Sequence, residues 1–121
     1  MRSLAIPKHV QALCKELGIK SSAEIAFPIP DYAIERGGVI TSEMVAIPLP
    51  NVAANPQRFC DLAASDLAAL GHTPVLGVWH THTHNTKPSP RDQRARLEWA
   101  KEGIPLYIII TPERAWFWVT D

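Results

Sequence analysis

Residues 74–92 read PVLGVWHTHTHNTKPSPRD, and the order of residue types along them predicts the architecture around them. Val75 to Trp79 is almost wholly apolar, the pattern of a short strand buried on both faces. Ser89-Pro90-Arg91-Asp92 is a helix start. Serine suits the N-cap, proline the first helical position, and an acid at the third complements the helix dipole. A strand thus runs through a polar connection into a helix. Three of the chain's five histidines, His80, His82 and His84, lie in that connection.

The neighbouring segments extend the pattern. Val10, Leu13, Cys14 and Leu17 recur at helical spacing and predict a helix from Pro7 to Leu17, stopped by Gly18. AEIAFPI (23–29) reads as a strand cut short by Pro28 and Pro30. Gly37-Gly38 reads as a hairpin turn, EMVAIPL (43–49) as a second strand and PNVAANPQ (50–57) as a loop. Leu62, Ala63, Asp66, Leu67 and Leu70 are spaced for the buried side of a helix over Phe59 to Leu70, ended by Gly71. A further helix covers Pro90 to Lys101, with Gly103 ending it. PLYIIIT (105–111) and AWFWVT (115–120) are the last strands, separated by a turn at Pro112-Glu113. Helices and strands alternate loosely, with hairpin-like pairs at both ends. That predicts an α/β fold with a mixed sheet, as a single domain over 1–121.

Composition excludes several classes. Twelve basic and 12 acidic residues give a formal net charge of zero, so there is no electrostatic footprint for nucleic acid or an anionic membrane. Arg91, Arg94, Arg96 and Lys101 cluster, but Asp92, Glu98 and Glu102 interleave with them, as on a solvated helix face. The apolar runs are too short to span a bilayer, and the first ten residues hold no signal-peptide core. Cys14 and Cys60 form no C-x-x-C pair, which removes a cysteine zinc site and favours a reduced, cytosolic setting.

The chemistry concentrates where the strand leaves the core. Alternate residues of an extended segment point the same way, so His80 and His82 can converge on one ion. Asp92, in the first turn of the next helix, is placed to add a third ligand. Two imidazoles, a carboxylate and an open position make a catalytic rather than a structural zinc site. A further carboxylate is needed for proton transfer, with Glu24, Glu35 and Glu43 as candidates. Glu24 lies between apolar neighbours, where desolvation would raise its pKa; the competing reading is a strand-edge glutamate facing water. Taken alone, Ser89 and Asp92 are structural, an N-cap and an acid at the third helical position; combined with two same-facing histidines, that reading weakens.

GVWHTHTHNTKPSPRD (77–92) resembles the signature of the JAMM metallopeptidases, also called MPN-plus or Mov34: an early glutamate, H-x-H, seven residues, then S-x-x-D. Asn51, Ala53, Pro56 and Phe59 or Cys60 echo a stretch of the compact members found in bacteriophage tail-assembly proteins. The likeness runs from about Pro7 to Val119. It implies a mixed curved sheet flanked by helices, like that of cytidine deaminases. It also implies zinc held by His80, His82 and Asp92, Glu24 as acid/base and Ser89 stabilising the oxyanion. The chain departs from the pattern at four points. Six residues, Thr83 to Pro88, stand where the family has seven. Thr83 replaces the usual proline, His84 is additional, and Glu24 is followed by Ile-Ala-Phe.

The function implied is a zinc-dependent peptidase or isopeptidase of a phage or prophage tail module. Its substrate is a peptide or isopeptide, its partners are tail proteins, and its setting is the host cytoplasm or the virion tail. The alternative is a tail-tip assembly protein that keeps the fold and no longer cleaves. A deaminase would need H-x-E and C-x-x-C, which are missing. Trp116 and Trp118 share one face of the last strand, with Ala115, Phe117 and Val119 on the other. Both faces being apolar predicts burial, with a partner surface as the alternative.

Overall fold

Alternation around Trp79 sorts one central strand onto two differently furnished faces, and the other elements follow from it. The computed structural model describes residues 1–19 and 24–120; Ala23, the first residue of the expected early strand, lies outside them. The elements are β1 (Arg2–Ala5), α1 (Lys8–Glu16), β2 (Glu24–Phe27), β3 (Gly37–Thr41), β4 (Ala46–Leu49), α2 (Ala64–Ala68), β5 (Val75–Thr81), α3 (Pro90–Lys101), β6 (Leu106–Ile110) and β7 (Ala115–Val119). Five strands form a mixed sheet in the order β4-β3-β5-β6-β7, and β1 and β2 form a separate antiparallel pair. Among the described residues, only β5 and β6 run parallel. A parallel pair needs a long crossover, here the histidine loop and α3.

On one face, Trp79, Ile40, Leu106, Ile108 and Ile110 pack against Val10, Leu13 and Cys14 of α1 and Ile25 and Phe27 of β2. The Phe27 and Trp79 rings meet edge to face, with centroids 5.4 Å apart. On the other face Val78, Tyr107 and Ile109 pack under Leu62, Ala95, Trp99 and Ile104. The fold is therefore α/β, with helices on both faces of a mixed sheet. No helix among the described residues is long and apolar enough to cross a membrane.

Several expectations are corrected. Gly37 and Gly38 are not a turn but the first two residues of β3, paired on both sides. The reason is close approach rather than backbone freedom. A Cβ on Gly37 would lie 2.6 Å from Cys60 Sγ, and one on Gly38 would lie 1.9 Å from the Ile47 carbonyl. The β3–β4 turn falls later, where Met44 adopts φ 61° and the Met44 N–H donates to the Thr41 carbonyl. That turn takes Glu43 and delays β4 to Ala46. The helix expected over 59–70 shrinks to α2, none of whose residues is buried. Its first part is instead loop, organised by Asn51. The Asn51 amide donates to the Glu35 and Phe59 carbonyls, and its Oδ1 accepts from the Ala53 and Asp61 N–H groups. Leu17, expected on the buried stripe of α1, is 52% exposed because the helix ends at Glu16. The short β1 was not anticipated. On β7, Ala115, Phe117 and Val119 pack on the first face and Trp116 and Trp118 on the second, but every one is only half-buried.

Candidate metal centre

His80 is a β5 residue and His82 extends that strand by one ladder bond, its N–H donating to the Ile110 carbonyl at 2.9 Å. Both imidazoles therefore leave the same face, 5.3 Å apart by ring centroids. α3 delivers the third group. Ser89 is its N-cap: Ser89 Oγ accepts from the Asp92 N–H at 3.1 Å, and Asp92 Oδ2 accepts from the Ser89 N–H at 2.8 Å. That reciprocal capping box fixes the Asp92 carboxylate. Its Oδ1 lies 3.2 Å from His80 Nε2 and its Oδ2 lies 3.1 Å from His82 Nε2. The three ligand atoms all fall within 4.8 Å of one another.

The far nitrogens of the rings decide what this cluster can hold. His82 Nδ1 lies 3.2 Å from the Thr86 carbonyl, with Thr86 Oγ1 at 2.9 Å. In the tautomer whose Nδ1 donates to that carbonyl, the Nε2 of a neutral ring turns its lone pair toward Asp92. His80 Nδ1 meets the Tyr107 hydroxyl at 3.3 Å. A lone pair aimed at a carboxylate requires positive charge between the two, from a proton or from a cation. Two nitrogens and a carboxylate, with outer partners setting ring orientation, fit a divalent metal. The donor set alone does not choose among the metals that imidazole and carboxylate suit.

Electrostatics agree with that charge. Burial alone would raise the Asp92 pKa. The bonds from His80 and His82 outweigh it and hold the carboxyl well below the usual range. Burial alone would lower the pKa of His82, but the bond to Asp92 and its charge outweigh it, and the imidazole is raised.

Among the candidate glutamates, the structure brings only Glu35 to the cluster. Glu24 pairs with Ala5 in the two-stranded sheet. Because Ile25 and Phe27 of β2 point into the core, Glu24 and Ala26 point outward, on the side of the large sheet opposite the histidines. Glu43 sits in the β3–β4 turn, at the end of β3 remote from His80. Glu35 precedes β3. The Thr81 N–H donates to the Arg36 carbonyl at 2.8 Å and the Arg36 N–H to Thr81 Oγ1 at 2.9 Å, carrying the ladder one step beyond Gly37–His80. The next step sets Glu35 opposite His82. It is only 8% exposed. Burial pushes its carboxyl up to about 7, with His82 opposing and Asp92 adding to the shift.

Glu35, His80, Ser89 and Asp92 line one cleft of about 660 Å³, floored by Val78 and Tyr107 and walled by α3 and the 58–62 loop. Cys60 also lines it, its thiol pushed up to about 12 by burial, with Glu35 and Asp61 adding. Burial likewise raises the Tyr107 phenol. His84 is exposed and outside the ligand group. The signal for Glu35 was present in the sequence: an acid two residues ahead of the glycine that faces His80. Reading Gly37-Gly38 as a turn concealed it.

No protein-family model matches the chain, and no curated protein matches it. Among solved structures, the chain is similar to the solution structure of protein DSY2949 from Desulfitobacterium hafniense, with 21% identity and a TM-score of 0.48. The match covers 70% of this chain and 67% of that one.

Proposed function

We propose that this chain is a zinc metallopeptidase of JAMM type, hydrolysing a peptide or isopeptide amide within a phage or prophage tail-assembly module. The observation that carries the reading is the convergence of His80, His82 and Asp92 within 4.8 Å, at a cleft that Glu35 and Ser89 also line. His80 Nε2, His82 Nε2 and an Asp92 oxygen would hold the ion. Zinc, when bound, supplies Lewis acidity and lowers the pKa of water there. Glu35 takes a proton from the attacking water and returns it to the leaving amine as the carbonyl gains oxygen and loses nitrogen. A carboxyl poised near 7 suits transfer in both directions at neutral pH. Ser89 Oγ accepts from the Asp92 N–H and keeps its own hydrogen to donate to the carbonyl oxygen as negative charge develops. Glu35 thus takes the acid/base role expected of Glu24.

Elemental analysis should find about one zinc per chain, lost in His82→Ala. Peptide mixtures followed by mass spectrometry should show cleavage that a chelator stops. A purified protein without transition metal, whose melting ignores added zinc, would sink the reading. A second reading is a tail-assembly protein that no longer cleaves. It is favoured by the direct contacts of Asp92 with both imidazoles, which protons satisfy as well as a metal does. Zinc binding without any cleavage would select it.

A further inference from the structure

The proposed chemistry uses one end of the cleft and leaves its charged rim unexplained. Arg91 and Arg94 stand on the first turns of α3, and Arg58 stands on the opposite wall. A helix N-terminus favours acids, so Arg91 in the first turn goes against the local preference, and Arg94 follows one turn further on. The chain has no net charge to account for them. Arg91 is committed: it pairs with Asp61 at 3.2 Å and lies 4.4 Å over the Phe59 ring. Arg58 and Arg94 are both exposed and, among the described residues, take part in no ion pair; Arg58 lies 5.8 Å over the Phe59 ring, further off than Arg91. Of the three acids of the cleft, Asp61 pairs with Arg91, Asp92 faces the histidines and Glu35 is buried. Below the rim, Val78 on the floor and Leu62 and Trp99 on the walls give an apolar lining.

We infer that the cleft selects peptides that carry an aspartate or glutamate next to a bulky apolar residue near the bond to be cut, the acid held by Arg58 and Arg94 and the apolar side chain by Val78, Leu62 and Trp99. This rests on the peptidase reading, and it adds the substrate class. Guanidinium groups match carboxylates in shape and charge, and two on facing walls hold an acid without fixing the backbone around it.

Two measurements separate this inference from the reading beneath it. In the first, the zinc-loaded protein digests a peptide library with each position fixed in turn as Glu, Gln or Lys. Glu is expected over Gln by about tenfold to a hundredfold at one position. The preference should collapse in the Arg58→Ala, Arg94→Ala double variant and turn toward Lys in Arg58→Glu, Arg94→Glu. Cleavage that ignores the acid overturns the inference and spares the peptidase. In the second, fluorescence anisotropy follows a labelled decapeptide of alternating Leu and Glu, and its Leu-Gln counterpart, on zinc-loaded Glu35→Gln. Tighter binding of the Glu peptide, weakened by salt and by the double variant, supports the inference even if no peptide is cut. Equal binding of the two peptides overturns it, as does tighter binding of a single-stranded oligonucleotide.

Discussion

The two faces of the central sheet are built from the same strands and put them to opposite uses. On the α1 face, β5 contributes Trp79 to a dry apolar layer shared with Phe27 and Ile40. On the α3 face, the next residue in each direction is Val78 or His80, and the layer changes within a few ångströms from apolar packing to two imidazoles, a phenol and two carboxylates. Buried ionisable groups cost folding free energy unless they are paired. The dry face is therefore where stability should reside, and the wet face is where it should be diminished. The glutamates repeat the contrast: Glu24 stands outside the dry face and Glu35 inside the wet one.

The comparison breaks most easily at Phe27. Phe27→Ala should lower stability by ~3–5 kcal/mol in urea denaturation while zinc stoichiometry is kept. A cost under about 1 kcal/mol would mean that the dry face is not the main support.

Glu35→Gln and Glu24→Gln test the opposite face against its mirror position. The first should reduce turnover by ~10²-fold or more with zinc still bound, and the second should leave turnover unchanged. Reversal of that order would return the role to Glu24.

Metal-free protein sharpens the same point through pH. With its carboxyl raised to about 7 from the usual 4.5, Glu35 favours folding below pH 4.5, and that contribution is lost as pH rises through 7. Glu35→Gln should therefore gain on the order of 1–3 kcal/mol over the parent between pH 4.5 and pH 8. Parallel stability profiles would contradict the burial.

Much of the sequence reading came through because its signals were local. Apolar runs placed β5, β6 and β7, and a cap with proline placed α3 within a residue. The H-x-H and S-x-x-D pattern brought His80, His82, Ser89 and Asp92 together, because extended alternation and a capping box are short-range devices. What failed depended on distant partners. Gly37 and Gly38 are glycines because Cys60 and Ile47 lie against them, which no window around them reveals. Phe59 to Ala63 has helical spacing, but Asn51 supplies its backbone with other bonds. Glu35 became visible only once β3 was registered against β5.

Two smaller effects bear on how the wet face is held in place. Tyr107→Phe removes the hydroxyl beside His80 Nδ1 and should weaken zinc by about 10–100-fold in competition with a chelator. Unchanged affinity would make that contact incidental. Ser89→Ala should cost ~1 kcal/mol through the lost cap, whereas Ser89→Asp should retain most of that stability. If Ser89→Asp also turns over at the parental rate, the hydroxyl has no part in the chemistry.

Cys60 has a practical consequence. A thiol held at about 12 is almost never thiolate at neutral pH, and Cys14 is buried on the inward side of α1. Maleimide reagents attack the thiolate, so they should pass over both native cysteines. A single cysteine introduced at an exposed position such as Leu97 then becomes the one addressable handle, and a spectroscopic label there can report on α3 without first stripping the chain of its own sulfur.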